Sequence, residues 1–230
     1  MADALAEAGA DIVGISASLN PDSCEVGKAV RKRGRGFSGF RCNLSDRHDV
    51  DLVLDQVLSQ HPVIDVLVNN AGIVRRSAAE EHSDELWDTV LEVNLTAAFR
   101  ISRRIGTVML SQGKGSIIST ASVLSDQGGL TVASYAASKA GLANLTRSLA
   151  NEWAGRGVRV NAIAPGYVDT DMTAVLQSDP LRSKQILERI PAGRLGSPDD
   201  LRGPVVFLAS EASRYVHGET LVVDGGWMGR

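Results

Sequence analysis

Along the 230 residues, short apolar runs alternate with longer amphipathic stretches. Asp11-Ile-Val-Gly-Ile15, Phe37 to Cys42, Val63 to Val68, Ser116 to Ser122, Val158 to Ala164 and Thr220 to Val223 read as strands, most apolar on both faces. Between them the pattern predicts a helical fragment from Asp3 to Ala8 closed by Gly9, and a helix opened by Asn20-Pro21-Asp22 that runs toward Arg33. Further helices are expected over Asp46–Gln60, from Ser83 to near Gly113, from Tyr135 to Gly155, more loosely over Met172–Arg189, and from the Ser197-Pro-Asp-Asp cap to Ser210. Strands that alternate with helices and carry no polar face predict an α/β fold, a doubly wound and mostly parallel Rossmann-type sheet with helices on both faces. No repeat or linker divides the chain, so residues 1–230 are expected to form a single domain. Ligands of such sheets bind beyond the carboxyl ends of the strands, where Asn70, Ser122 and Pro165-Gly166 all fall.

Composition narrows the classes. The apolar fraction of 43% and charged fraction of 22% are ordinary for a soluble globular protein, and a net charge of −3 argues against nucleic acid as a partner. Cys24 and Cys42 make neither a metal spacing nor a disulfide framework, so reduced thiols, a cytoplasmic location and no metal are expected. No apolar run is long enough for a bilayer, and the opening MADALAEAGAD lacks the basic and apolar regions of a signal peptide, so no membrane partner is expected. The basic run from Arg31 to Arg35 reads as a solvated helix end, with an anion patch as the alternative.

Candidate chemistry centres on Tyr135-Ala-Ala-Ser-Lys139. Four residues apart, the phenol and the ammonium share one helix face, and a nearby cation favours the phenolate. Tyr135 is therefore a candidate general acid/base for a carbonyl/alcohol pair, and Ser122, at the end of its strand, a candidate hydrogen-bond partner for the same oxygen.

These residues, with Asn69-Asn70-Ala71-Gly72, Asn94, Pro165-Gly166 and Thr170, and Val223-Asp-Gly-Gly226, resemble the short-chain dehydrogenase/reductase family over nearly the whole chain. Within it, Asn70-Ala-Gly-Ile-Val-Arg-Arg76, Gln127-Gly-Gly129, Ala150-Asn-Glu-Trp153, Arg189-Ile-Pro-Ala-Gly-Arg194 and Val223-Asp-Gly-Gly-Trp227 are similar to a bacterial branch that acts on 2-keto-3-deoxygluconate and 2-deoxygluconate. The resemblance implies an oxidoreductase that moves a hydride between a nicotinamide cofactor and a secondary hydroxyl or ketone of a sugar acid. It implies Tyr135 as the acid/base, Lys139 lowering its pKa and binding the nicotinamide ribose, Ser122 on the carbonyl oxygen and Asn94 holding a water of the proton relay. It places Asn70, Ala71 and Gly72 against the adenosine ribose, Asn43 and Leu44 near the adenine, and Pro165, Gly166, Val168 and Thr170 around the nicotinamide. Arg75 and Arg76 are candidates for a substrate carboxylate and Gln127 for sugar hydroxyls, each beside the plainer reading of a solvated loop. Trp153 and Trp227 read as core or subunit-contact residues. A homo-oligomer, with a tetramer favoured, is also implied.

The front of the chain departs from the family pattern, which opens with a strand and a glycine-rich turn that receives the pyrophosphate. Met1 corresponds to a position inside the first family helix, roughly 20 to 25 residues along that pattern. Two arrangements are expected: a sheet closed up by the Asp11 strand, or a sheet with a gap. Ser16-Ala17-Ser18 offers no acid to select the unphosphorylated ribose and tolerates a 2′-phosphate, for which Arg31 to Arg35 are the candidate partners; the branch favours NAD over NADP. Two other readings stay open, a 3-oxoacyl carrier-protein reductase and a cofactor-free scaffold.

Overall fold

The computed structural model describes residues 1–173 and 179–230. The helices are α1 (Ala2–Glu7), α2 (Glu25–Lys32), α3 (Arg47–Gln60), α4 (Asp84–Leu91), α5 (Ala97–Gln112), α6 (Ala133–Trp153), α7 (Pro180–Arg189) and α8 (Arg202–Ala209). The strands are β1 (Ile12–Ser16), β2 (Phe37–Arg41), β3 (Val66–Asn69), β4 (Gly115–Thr120), β5 (Val158–Pro165) and β6 (Thr220–Val223). Every strand pairing is parallel, as the two-sided apolar runs require.

The strands form two sheets, β1-β2 and β3-β4-β5-β6. Among the described residues β1 and β3 share no ladder, so the gapped arrangement is the one observed. Both apolar layers nevertheless run across the gap. On one face Val13, Ile15 and Phe40 pack with Ile117 and Val160 against Val53 and Leu54 of α3, Ile105 and Met109 of α5 and Trp153 of α6. On the other face Ile12, Val66 and Val68 pack with Ile118 and Ile163 against Leu5 of α1 and Val205 and Leu208 of α8. Non-directional burial, rather than strand hydrogen bonding, thus holds the two sheets together.

Local chemistry sets the boundaries. Asp46 caps α3 by accepting from the amides of His48 and Asp49, and Ser83 caps α4 through Leu86. α2 starts later than expected because Cys24, whose Sγ accepts from the Gly27 amide at 3.3 Å, is its cap. The single helix expected from Ser83 to Gly113 is interrupted by a π-helical segment over Glu92–Thr96, and Gly113 closes it at φ 68°. The looser helix expected over Met172–Arg189 begins at Pro180; residues 174–178 lie outside the described residues.

Candidate active site

The site is assembled where β4 hands over to α6. Ile117 and Ile118 anchor β4 in opposite core layers, and beyond Thr120 the chain leaves the sheet with Ser122 extended. The Ser122 amide donates to Ser125 Oγ at 3.2 Å, Ser122 Oγ accepts from the Leu124 amide at 3.1 Å, and Ser125 Oγ donates to the Lys139 carbonyl at 2.9 Å. This chain of bonds locks the serine to the helix that carries Tyr135. Lys139 is buried on that helix, its Nζ donating to the Thr120 carbonyl at 2.5 Å and lying 5.7 Å from the centre of the Tyr135 ring.

The electrostatics differ from the expectation that the lysine draws the phenol toward neutrality. Burial pushes the Tyr135 hydroxyl up from its usual value, opposed by its hydrogen bond to Ser122 and by the charge of Arg76. Burial also lowers Lys139 to about 8, because its ammonium has left water without gaining a carboxylate. The lysine charge is spent on the Thr120 carbonyl, and the cation that acts on the phenol is Arg76.

Asn94 sits in the π-helical segment, 1% exposed. Its Oδ1 accepts from the Ile73 amide at 2.8 Å, and its Nδ2 donates to the Ile73 carbonyl at 2.9 Å and to Ser138 Oγ at 3.1 Å. The side chain ties the loop after β3 to α6, with one Oδ1 lone pair left over. A Cβ on Gly72 would come within 3.4 Å of both Asn94 Oδ1 and Lys139 Nζ, so glycine keeps open the space between them.

Asn70, Arg76, Ser122, Gln127, Tyr135, Lys139, Pro165, Gly166, Val168 and Thr170 line one cavity of about 740 Å³. Ala71, Gly72, Arg75 and Asn94 do not line it, and Arg75, exposed, donates to its neighbour's carbonyl at Val74. Gly166 owes its identity to packing, since a Cβ there would lie 2.7 Å from Asp224 Cα. Trp153 fills the core against Gly106, as expected. Trp227 is buried too but turns into the cavity, alongside Arg182 and Arg189. Neither arginine has a site role in the sequence reading, although Arg189 opens one of the motifs that resemble the sugar-acid branch; the i, i+7 spacing on α7 puts Arg182 on the same face.

The β1–β2 end is further from expectation. Asn43 Oδ1 accepts from the Ser45 amide and hydroxyl, and Leu44 turns into the core, so neither lines the cavity. Arg33 pairs with Asp3 and Glu7, and Arg35 with Asp11. Asp11 and Gly36 precede β1 and β2, which puts these arginines at the amino ends, a five-residue strand or roughly 17 Å from the ligand side. Arg41, overlooked in the sequence, stands at the carboxyl end, where its Nε donates to the Ala17 carbonyl at 3.0 Å.

The family model described as Enoyl-(Acyl carrier protein) reductase matches residues 1–228. The 2-dehydro-3-deoxy-D-gluconate 5-dehydrogenase of Pseudoalteromonas atlantica is 55% identical, over 98% of this chain and 89% of its own. The 3-oxoacyl-(acyl-carrier-protein) reductase of Escherichia coli is 38% identical, over 98% of this chain and 90% of its own. The crystal structure of a gluconate 5-dehydrogenase from Burkholderia cenocepacia, in complex with NADP and tartrate, superposes with a TM-score of 0.93 at 35% identity, covering 100% of this chain and 89% of that one. With the serine, tyrosine and lysine gathered on one cavity at the carboxyl ends of a parallel sheet, the chain belongs to the short-chain dehydrogenase/reductase family.

Proposed function

We propose that the protein is an NAD(P)-dependent oxidoreductase acting on a secondary hydroxyl or ketone of a sugar acid of the 2-keto-3-deoxygluconate type. The observation that carries this reading is a cavity in which Tyr135, Ser122 and Lys139 meet Arg76, Arg182 and Arg189, none of the three arginines paired with a carboxylate among the described residues. Three unmatched guanidinium groups in a protein of net charge −3 suit an anionic substrate. The 55% identical relative named for that activity supports the same choice over the carrier-protein reductase, whose counterpart is 38% identical.

The residues present suit the nicotinamide end of the cofactor. The open space at Gly72, the Lys139 ammonium and the wall from Pro165 to Thr170 leave room and donors beside Tyr135. When bound, the cofactor supplies the hydride acceptor or donor. The chain supplies position and proton transfer. Ser122 and Tyr135 hold the reacting oxygen; Tyr135 takes or gives its proton; Lys139 holds a ribose hydroxyl, and Asn94 offers its spare lone pair to a relay water. Asn70, Ala71 and Gly72 bound the adenosine ribose, with Asn43 and Leu44 at the adenine side. Arg41, whose two Nη groups have no hydrogen-bond partner among the described residues, stands beside Ser16 and Ala17, which favours a 2′-phosphate and so NADP.

We further place residues 1–230 in one domain and read the chain as a homo-oligomer, a tetramer first. Trp87 on α4 and Phe99 on α5 are exposed, as is Val222 on the edge strand β6. Its two free thiols accord with the reducing cytoplasm. Among the described residues no helix is long and apolar enough to cross a membrane.

The decisive assay follows NADPH or NADH at 340 nm with sugar acids and, in parallel, with a 3-oxoacyl thioester. Turnover of the thioester alone would replace the proposal with the carrier-protein reading, and failure of either nucleotide to bind in calorimetry would replace it with the scaffold reading.

A further inference from the structure

Three side chains at the rim of the cavity form a unit that the reaction chemistry does not use. The guanidinium carbon of Arg189, the last residue of α7, lies 3.9 Å over the centre of the Trp227 ring. Trp227 Nε1 donates to Gln127 Oε1 at 2.9 Å, and Arg189 Nη2 approaches the same oxygen at 3.5 Å. All three residues line the cavity that holds Tyr135.

Each contact leaves a particular valence open. Stacking on the indole occupies one face of the guanidinium, but its in-plane N–H donors, the ones that match a carboxylate, stay available. Arg189 has no acidic partner among the described residues. The Trp227 indole fixes which way the Gln127 amide points: its oxygen is taken, so its Nε2 is presented as a donor. The pocket is therefore built before any ligand arrives, and the rotamer entropy of a long arginine has already been lost.

The other cavity arginines fit the role less well. Arg76 acts on the Tyr135 phenol, and a carboxylate seated on Arg76 would both screen that charge and stand against the oxygen where negative charge develops. Arg182 lines the cavity with no ring beneath it and no side-chain hydrogen bond among the described residues.

We infer that Arg189, stacked on Trp227, is the receptor for the substrate carboxylate, and that Gln127 Nε2, oriented by the same tryptophan, takes a neighbouring hydroxyl. This assigns a specificity-determining residue and rests on the sugar-acid reading above. The unit selects acids over neutral polyols of the same length.

The test compares wild type with Arg189→Ala, Arg189→Lys and Trp227→Phe. Arg189 is exposed, so its replacement leaves the fold intact. For 2-keto-3-deoxygluconate, Arg189→Ala is expected to raise KM about 30- to 100-fold with kcat within threefold, the loss of one bidentate charge-assisted pair. Arg189→Lys keeps the charge without the fork and should lose about tenfold, and Trp227→Phe, which frees Gln127, about fivefold. NADPH affinity should be unchanged in all three. Independently of turnover, calorimetry with saturating NADPH present should show D-gluconate binding wild type more tightly than D-glucitol, and Arg189→Ala binding the two alike. Equal binding of gluconate and glucitol by wild type, or the same preference in Arg189→Ala, would overturn the assignment. If gluconate is preferred through Arg189 but no sugar acid is turned over, the receptor stands and the catalytic reading fails.

Discussion

The two sheets of this molecule are built from the same kind of strand and do different work. β3–β6 is a continuous ladder whose inner strands are buried on both faces, Ile117 and Ile118 in β4 and Val160 and Ala162 in β5 being essentially inaccessible. No residue of β1 or β2 is fully buried, and the two strands meet the rest of the fold through shared apolar layers, not strand hydrogen bonds. The serine follows β4 and the tyrosine and lysine lie on α6, which packs on this ladder sheet; the residues expected at the adenine follow β2 of the other sheet. Proton transfer tolerates errors of a fraction of an ångström and needs directional support, whereas holding an adenine tolerates more. The difference teaches that a parallel sheet can concentrate its rigidity in the strands that carry the chemistry.

The sharpest way to test that division is at the reacting oxygen. Tyr135→Phe is expected to lower kcat by 10³-fold or more while leaving the melting temperature and NADPH affinity within error. Residual turnover above a tenth of wild type would remove the tyrosine from the mechanism.

Stability should divide along the same line. Ile118→Ala, in the ladder sheet, is expected to cost about 3 to 4 kcal/mol in urea denaturation, and Val13→Ala, in the detached sheet, about 1 kcal/mol. Equal costs would mean that the gap does not weaken β1. Hydrogen exchange reads the same contrast without mutation. Amides of Ile117 and Val160 should exchange only with global unfolding, and those of Val13 and Phe40 at least about tenfold faster through partial opening. Coincident rates would make the two sheets one cooperative unit.

A further effect is on pH. Lys139 is lowered to about 8 in the fold from 10.5, so between those values the unfolded chain binds more protons and stability rises with pH. Tyr135 is raised from 10.0, so above that pH the unfolded chain loses a proton that the fold retains, and the rise ends there. From pH 8 to 10 wild type is expected to gain about 2 kcal/mol relative to Lys139→Met, because Cys42, raised by burial to about 11 from 9.0, opposes the rise equally in both chains. An unchanged slope in the variant would place the lysine charge in water.

Much of this was legible in the residues. The six apolar runs became the six strands, and their lack of a polar face required parallel pairing between helical layers. Tyr135 and Lys139 had to share a helix face once a helix formed, and Ser122 had to lie at a strand end. The basic run from Arg31 to Arg35 is the solvated helix end read from the sequence; its alternative use on a 2′-phosphate fails because charge alone does not tell which end of a strand it occupies, and the α2–β2 turn puts it at the amino ends, where Asp3, Glu7 and Asp11 neutralise Arg33 and Arg35.

What sequence determined by itself was local and periodic: the elements, their parallel pairing and the residue types able to move a proton. What only the tertiary structure decided was every relation that depends on which surfaces meet. Burial, not the lysine, governs the Tyr135 hydroxyl, because desolvation is set by the packing around a group and not by its neighbours in the chain. The split of the sheet, the π-helical turn at Asn94 and the stacking of Arg189 on Trp227 arise in the same way, from contacts between segments tens of residues apart that no local pattern encodes.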